Sequence, residues 1–398
     1  MDFKNDIIII GQQPWDTEIG SNCKDIALEF SKTNRVLYIN SPLDRITLFR
    51  NKNDQKIKKR INIIKGKEQG LIKIKDNLWN YYPDCMVESI NWLNSHFLFN
   101  LINRLNNWKF SISIIKAIKQ LGFSNFILFN DNEIFKGYYL KDLLNPSLSI
   151  YYSRDYMIGV DYWRKHGVKL EARLIAKSDL CFSNSAYLAE YCSSFNQNSF
   201  NVGQGCDVQE FISVNNDVPD ELRDIGRKTI GYVGSLNSER LDIQVIEQIA
   251  DSFPECMVVL VGPEDQQFKV SRLHDSQNVI FTGLKPVDVL PAYINSFDVC
   301  INPQILNKIT IGNYPRKIDE YLAMGKAVVA TKTKTMEFFA DFVYLADTAD
   351  AYVPLIRLAL AEDKANDSIL ARKAFALTHT WQESVKKMSK EIVKILKV

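Results

Sequence analysis

The sequence is poor in the residues that build metal, redox and disulfide chemistry. It has four histidines and seven cysteines in 398 residues. The cysteines (Cys23, Cys85, Cys181, Cys192, Cys206, Cys256, Cys300) are odd in number, scattered, and nowhere spaced C-x-x-C. That pattern excludes a zinc ribbon and a disulfide framework and points to a reducing compartment. His96, His166, His274 and His379 have no metal-ligand spacing. Charge of one sign is also lacking: 49 basic residues stand against 47 acidic ones, net +2. So no bulk polyanion partner, and no nucleic acid, is expected. No apolar run reaches the roughly 18 residues of a membrane-spanning helix. The short run IIII at residues 7–10 lacks the length and basic lead-in of a signal peptide. We expect a cytoplasmic protein. G-x-G-x-x-G is absent as well, which argues against a dinucleotide fingerprint.

What is present is a folding composition, 46% hydrophobic and 24% charged, which excludes disorder. The length suggests two domains, each large enough for its own core. Short β-rich runs alternate with helical patterns. In the first half they are IIII (7–10), RVLYI (35–39), FILF (126–129), LSIYY (148–152) and LCFS (180–183). In the second half the pattern restarts with TIGYV (229–233), MVVLV (257–261), VIFTG (279–283), VCINP (299–303), AVVAT (327–331) and FVYLA (342–346). Continuous apolar strands separated by helices imply βαβ units and parallel sheets. The seam is expected between Asp207 and Lys228, where the chain is polar. The tail THTWQESVKKMSKEIVKILKV reads as one amphipathic helix with Trp381, Val385, Met388, Ile392 and Ile395 on one face and Thr378 or Thr380 as its cap.

Open parallel sheets bind ligands beyond the carboxyl ends of their strands. After the first strand of the second half comes GYVGSLNSERLD (231–242), where Gly234 and Ser235 let backbone approach a phosphate and Arg240 adds a forked cation. VGPE (261–264), with Gly262, and TGLKP (282–286), with Leu284 and Lys285, are further turns at strand ends; either is also compatible with ordinary turn chemistry. The stretch NYPRKIDEYLAMGKAVVAT predicts a short helix over 315–324, with Pro315 in its first turn and Gly325 just past its end. Arg316 and Lys317 then lie against the positive end of the helix dipole, a conflict that a bound anion relieves. Glu320, one turn on, is placed to accept the hydroxyls of a ribose.

Together the run GYVGS…RLD…VVLVGPE…VIFTGLKPVDVLPAYINSFDVCINP…PRKIDEYLAMGKAVVAT resembles the nucleotide-binding domain of GT-B glycosyltransferases of the family-four type. It is most similar to bacterial enzymes that build surface polysaccharides, such as teichuronic-acid-type transferases. NSAYLAEY (184–191), VGQGCDVQEF (202–211) and HTWQESVKK (379–387) resemble the family's linker and its terminal helix; Gln204 and Cys206 depart from the usual N-G-V-D. The resemblance implies an α/β protein of two Rossmann-like, doubly wound domains facing a cleft. They are an acceptor-binding domain at 1–207, a nucleotide-sugar-binding domain at 208–377, and a helix at 378–398 crossing back to the first. It implies a donor site of Gly234, Ser235, Arg240, Gly262, Leu284, Lys285, Asn313, Tyr314, Lys317 and Glu320. The donor would be a UDP-sugar, with a GDP-sugar as the alternative, and the transfer retaining. One departure bears on that last point: Gly312 stands where many retaining members have a glutamate. No cofactor is implied, and no D-x-D marks a metal site at a strand end of the second domain.

The first domain should hold a glycan or lipid-linked acceptor. Gly11 and Trp15 are expected to face it, with Asp155 as a cleft carboxylate and candidate base and His166 as the second candidate, a surface histidine. Residues 45–75 hold eleven Lys/Arg against two acids, and Ile57, Ile61 and Ile64 share a helical face. Such a segment reads as contact with an anionic membrane surface, which would make the protein peripheral at the inner face of the plasma membrane. The aromatic run at 90–108 is expected to pack in the core, or else to line an acceptor-lipid groove. Competing readings are a sugar-nucleotide epimerase of the same fold and a non-catalytic nucleotide-sugar-binding or scaffold subunit.

Overall fold

A computed structural model defines residues 3–17, 20–208, 211, 218–362 and 366–396. The chain forms two compact units, residues 1–203 with 384–398, and residues 204–383. The seam expected between Asp207 and Lys228 lies partly outside the described residues.

The first unit is built on an eight-stranded sheet. In spatial order its strands are Ser199–Asn201, Leu180–Ser183, Leu148–Ser153, Ile127–Asp131, Ile7–Gly11, Val36–Asn40, Leu78–Tyr81 and Leu71–Lys75. Ile7 pairs with Val36 on one side and Ile127 on the other, all parallel. Every residue of Ile7–Gly11 is buried, which is why its sequence is an unbroken apolar run. The winding reverses at this strand, so the crevice at its carboxyl end, between Gly11, Asn40 and Asp131, is the site-forming position of a doubly wound sheet. Sequence reasoning misses the edge hairpin Leu71–Lys75 and Leu78–Tyr81, an antiparallel pair turned at Asn77 with φ +62°. Its alternating lysines are indistinguishable by charge from the basic helical segment just before them.

Two further segments of this unit divide between core and surface. Helix Gln55–Ile64 turns Ile57 and Ile63 into the fold and leaves Ile61 and Ile64 half-buried, so its apolar face is already partnered. Arg60 forks onto Asp16 at 2.8 and 3.1 Å. The aromatic run at 90–108 packs as core only in part: Ile90 and Phe99 join Ile134, Phe135 and Leu170, with Leu93 and Ile102 against them. It enters helix His96–Leu121, capped by Ser95 and closed by Gly122 at φ +61°, which buries Phe99, Phe110, Ile114 and Ala117 but exposes Phe97, Leu101, Leu105 and Trp108.

The second unit carries a six-stranded, wholly parallel sheet in the order Val279–Gly283, Met257–Val261, Thr229–Val233, Val299–Asn302, Ala327–Thr331, Tyr344–Ala346. Alternate residues feed cores on its two faces. Val233, Phe297, Ile318, Tyr321 and Leu322 pack on one, and Tyr232, Ile246, Leu260, Ile301 and Ile356 on the other. The unit closes on the start of the tail. Trp381 lies so close against Gly205 that a methyl there would strike the indole, and Cys206 N donates to the His379 carbonyl at 2.8 Å. Thr380 Oγ1 caps helix Trp381–Leu396 through Glu383 N at 3.3 Å, and from Ser384 onward the helix belongs to the first unit.

Candidate donor and acceptor sites

The central strand of the second unit ends at Gly234, whose φ of +142° disfavours any side chain. The next strand ends at Gly262, φ +147°, where a methyl would collide with the Gly234 carbonyl. Gly234 N donates to Val261 O at 2.9 Å. Two βα turns therefore meet backbone to backbone. Lys317 covers this bare surface. Its ammonium is hydrogen-bonded to the Tyr232 hydroxyl, stands 4.0 Å from the centroid of the Tyr232 ring, and would lie 2.8 Å from a methyl on Gly234. Among the described residues no carboxylate pairs with it. Ser235 and Arg240 are exposed on the loop that follows.

The helix expected at 315–324 is Lys317–Ala323, with Arg316 as its N-cap and Pro315 in the turn before. Gly325, φ +73°, ends it as expected, its N–H donating to Leu322 O at 2.8 Å. Arg316 does not strain against the dipole, because it is ion-paired. Its Nε is 3.6 Å from Glu320, and Nη2 is 4.0 Å from Asp207. Lys317 is the cation without an acid among the described residues. Glu320 lies one turn on, partly exposed, on the face of Lys317.

The other residues assigned to the donor divide. Leu284 is 77% exposed after the left-handed Gly283. The side chain of Lys285 is committed to Glu221 at 2.6 Å, and that pair holds the Glu221 carboxyl at about 2. What Lys285 offers a ligand is therefore its backbone. Asn313 Nδ2 donates to Gln304 at 3.3 Å. Tyr314 is core: it is buried, edge-on to Phe339 at 5.5 Å, so its side chain is withdrawn from the donor loops. His274 stacks on Phe281 at 4.0 Å and bonds Glu264 at 2.7 Å.

Sequence reasoning misses Asp319 and His379. Asp319 is fully buried, one residue before Glu320, and its Oδ1 lies 2.7 Å from His379 Nδ1. Burial pushes its carboxyl up, against the pull of His379. The pair ties the Lys317–Ala323 helix to the segment that packs Trp381 on Gly205.

In the first unit, Gly11 is glycine because the Tyr38 ring fills the space of its side chain. Trp15 is half-buried, its backbone N–H donating to Asn40 Oδ1 at 2.7 Å and its ring edge-on to Tyr38 at 5.0 Å. The rest of that loop (Gln12, Pro14, Asp16, Thr17) lines a cavity of about 400 Å³ that Lys136 and Arg60 also border. His166 is not a surface residue. It is buried, stacked on Phe99 at 3.9 Å, with its nitrogens on His96 at 3.0 Å and the Leu93 carbonyl at 2.9 Å. Asp155 is 43% exposed and paired with Arg154 at 3.0 Å. Arg154 in turn bonds the buried Asp131 and Gln12, each at 2.9 Å.

The backbone beneath Asp155 is held by a buried chain of polar groups. Asn132, at φ +54°, accepts the N–H of Arg154 and of Asp155 at 2.9 and 3.1 Å and donates to Tyr151 at 2.8 Å. Tyr151 and Tyr191 both donate to Glu171, at 2.7 and 3.1 Å. Burial raises the Glu171 carboxyl from 4.5 to about 7. A folded-state value above the unfolded one means that the folded form keeps its proton longer. Stability is then full below about 4.5 and is lost as pH rises through about 7. Glu171→Gln is expected to flatten that loss, which amounts to about 3 kcal/mol. Urea midpoints at pH 5 and pH 8 check it: equal pH slopes in variant and parent would refute the assignment.

Among the described residues no group of three or more His, Cys, Asp and Glu side chains could hold a metal ion, and no helix is long and apolar enough to cross a membrane. Residues 227–355 match the family model "Glycosyl transferases group 1". A putative teichuronic acid biosynthesis glycosyltransferase, TuaH of Bacillus subtilis (strain 168), is 28% identical over 193 residues, 46% of this chain and 48% of that one. The matched region thus spans about half the length of that relative. Sucrose-phosphate synthase from Thermosynechococcus elongatus superimposes with a TM-score of 0.67 at 12% identity, covering 99% of both chains. Anabaena Alr3699/HepE, in complex with UDP and glucose, does so with a TM-score of 0.64 at 14% identity, again over 99% of both. These structural likenesses establish the fold, which is GT-B, and within it residues 227–355 are the part that matches the glycosyl transferase group 1 model.

Proposed function

We propose that the protein transfers a sugar from a nucleoside-diphosphate sugar to a glycan or lipid-linked acceptor in the synthesis of a surface polysaccharide. The observation that carries the reading is the Lys317 ammonium resting on the Gly234 turn, against which the Gly262 turn packs, with no acid beside it among the described residues. A side-chain-free turn with a cation above it is complementary to a diphosphate. Arg240 supplies a second cation at the loop, Glu320 accepts the ribose hydroxyls, and the backbone at Leu284 and Lys285 meets the base. UDP is the favoured nucleotide, since Alr3699/HepE of the same fold binds it, and the pathway follows the name of TuaH.

We read the transfer as retaining. The leaving diphosphate takes the acceptor proton itself, and Lys317 and Arg240 stabilise the charge that develops on it. Asp155, ion-paired to Arg154, serves to hold the acceptor. Asn313 occupies the region where Gly312 leaves no carboxylate.

The test is a thermal-shift titration with UDP, GDP, ADP and CMP against the parent and Glu320→Ala. UDP is expected to raise the melting temperature of the parent, and the variant to need at least roughly tenfold more UDP for the same shift. If no nucleotide moves the parent, the donor assignment is wrong. Binding without turnover on any acceptor would identify a scaffold subunit, and an epimerised nucleotide sugar formed without acceptor would identify an epimerase.

A further inference from the structure

Helix His96–Leu121 is apolar on both faces. Phe99, Phe110, Ile114 and Ala117 face the fold, while Phe97, Leu98, Leu101, Leu105, Trp108 and Ile112 face out. Phe97 is 75%, Leu101 58% and Trp108 51% exposed. The spacing of the outer set places it in one stripe roughly 22 Å long. A surface helix normally turns polar residues outward, and a helix apolar all round has a second covering. Its charge says which. The 26 residues include no acid and four cations, Arg104, Lys109, Lys116 and Lys119. Lys109 lies 3.9 Å from Glu88 and Lys116 2.7 Å from Asp84, while Arg104 and Lys119 are exposed and have no carboxylate among the described residues. Ile46 and Arg50 share a cavity wall with Trp92 and, on the buried side of the helix, with Asn103 and Asn106. Phe49, on the neighbouring helix Arg45–Arg50, is 84% exposed.

We propose that this face seats the first unit on an anionic lipid bilayer, with the Phe97–Ile112 stripe at the boundary of headgroups and acyl chains and the cations among the lipid phosphates. A second copy of the chain is a poorer occupant. It would set cation-bearing, acid-free helices against each other, whereas a bilayer supplies the missing anions. The tryptophans at positions 92 and 108, both exposed, suit the interfacial depth. The inference uses no residue of the donor site, so the two readings succeed or fail separately.

The experiment is flotation of the full chain with vesicles of phosphatidylcholine alone or with about one-third phosphatidylglycerol. Binding to the mixed vesicles, at least tenfold weaker to the neutral ones and weakened by salt, is the expected result. Leu101→Glu combined with Trp108→Glu should abolish flotation with the melting temperature unchanged, and Arg104→Glu with Lys119→Glu should weaken it while sparing the stripe. Absence of flotation by the parent at low salt overturns the proposal. So does a dimer in light scattering that Leu101→Glu with Trp108→Glu dissolves, since the face would then be an interface between copies.

Discussion

Lys317→Ala is expected to lower kcat by roughly 10²–10³ at saturating donor, the effect typical of removing one preorganised group that stabilises developing charge. The chain should remain folded. Among the described residues the ammonium makes only a cation–π and hydroxyl interaction with Tyr232, worth about 0.5–1 kcal/mol at a partly exposed position. The defect should appear in kcat and kcat/KM together, because the ammonium matters most when the diphosphate departs with its extra charge. Lys317→Arg should rescue little. A planar guanidinium needs room beside Gly234, and a methyl on that glycine would already lie 2.8 Å from the ammonium. Steady-state rates of the two variants, with melting temperatures as the folding control, decide the matter. Activity of the alanine variant within a few-fold of the parent would remove Lys317 from the chemistry.

The same residue shows what is legible in the sequence and for which reason. By sequence, Lys317 and Arg316 are alike, two cations set against a helix dipole. In the structure they differ: Arg316 has Glu320 and Asp207, whereas Lys317 has, among the described residues, only a phenol. The strands of the second unit are legible almost to the residue, because strands buried on both faces of a parallel sheet leave unbroken apolar runs. Gly234 and Gly262 follow from those strands, since a turn that brings backbone against backbone tolerates no side chain. What the letters do not carry is direction. Asp319 and Glu320 are adjacent acids, and nothing in their order says that one is at 0% exposure and the other is partly exposed beside Arg316. Tyr314 and the run at 90–108 mislead for the converse reason. An aromatic is expected to face a ligand in one place and the core in the other, but apolar residues supply much of any protein surface and their type alone does not place them.

His379→Ala is expected to be the most damaging substitution outside the cores. It strips the partner from a carboxyl that no solvent reaches, and breaking a buried pair in this way costs about 3–5 kcal/mol. The site cannot relax by opening to water, because Phe338, Phe375 and Phe339 ring His379 at 5.0, 4.6 and 6.0 Å. Asp319→Asn should be milder. Burial already pushes the Asp319 carboxyl up, so removing its charge removes a penalty along with an attraction. In the asparagine background His379→Ala should therefore cost about 1–2 kcal/mol, the penalty of one unpaired amide. The cycle of four proteins, compared by urea midpoints at pH 7, isolates the coupling. A cost below about 1 kcal/mol for His379→Ala alone would mean that the pair is not a stabilising tie. Donor affinity should fall in step with stability. Asp319 sits in the same helical turn as Lys317 and Glu320, so the tie that fixes this helix from inside the core also sets where the Lys317 ammonium and the Glu320 carboxylate stand.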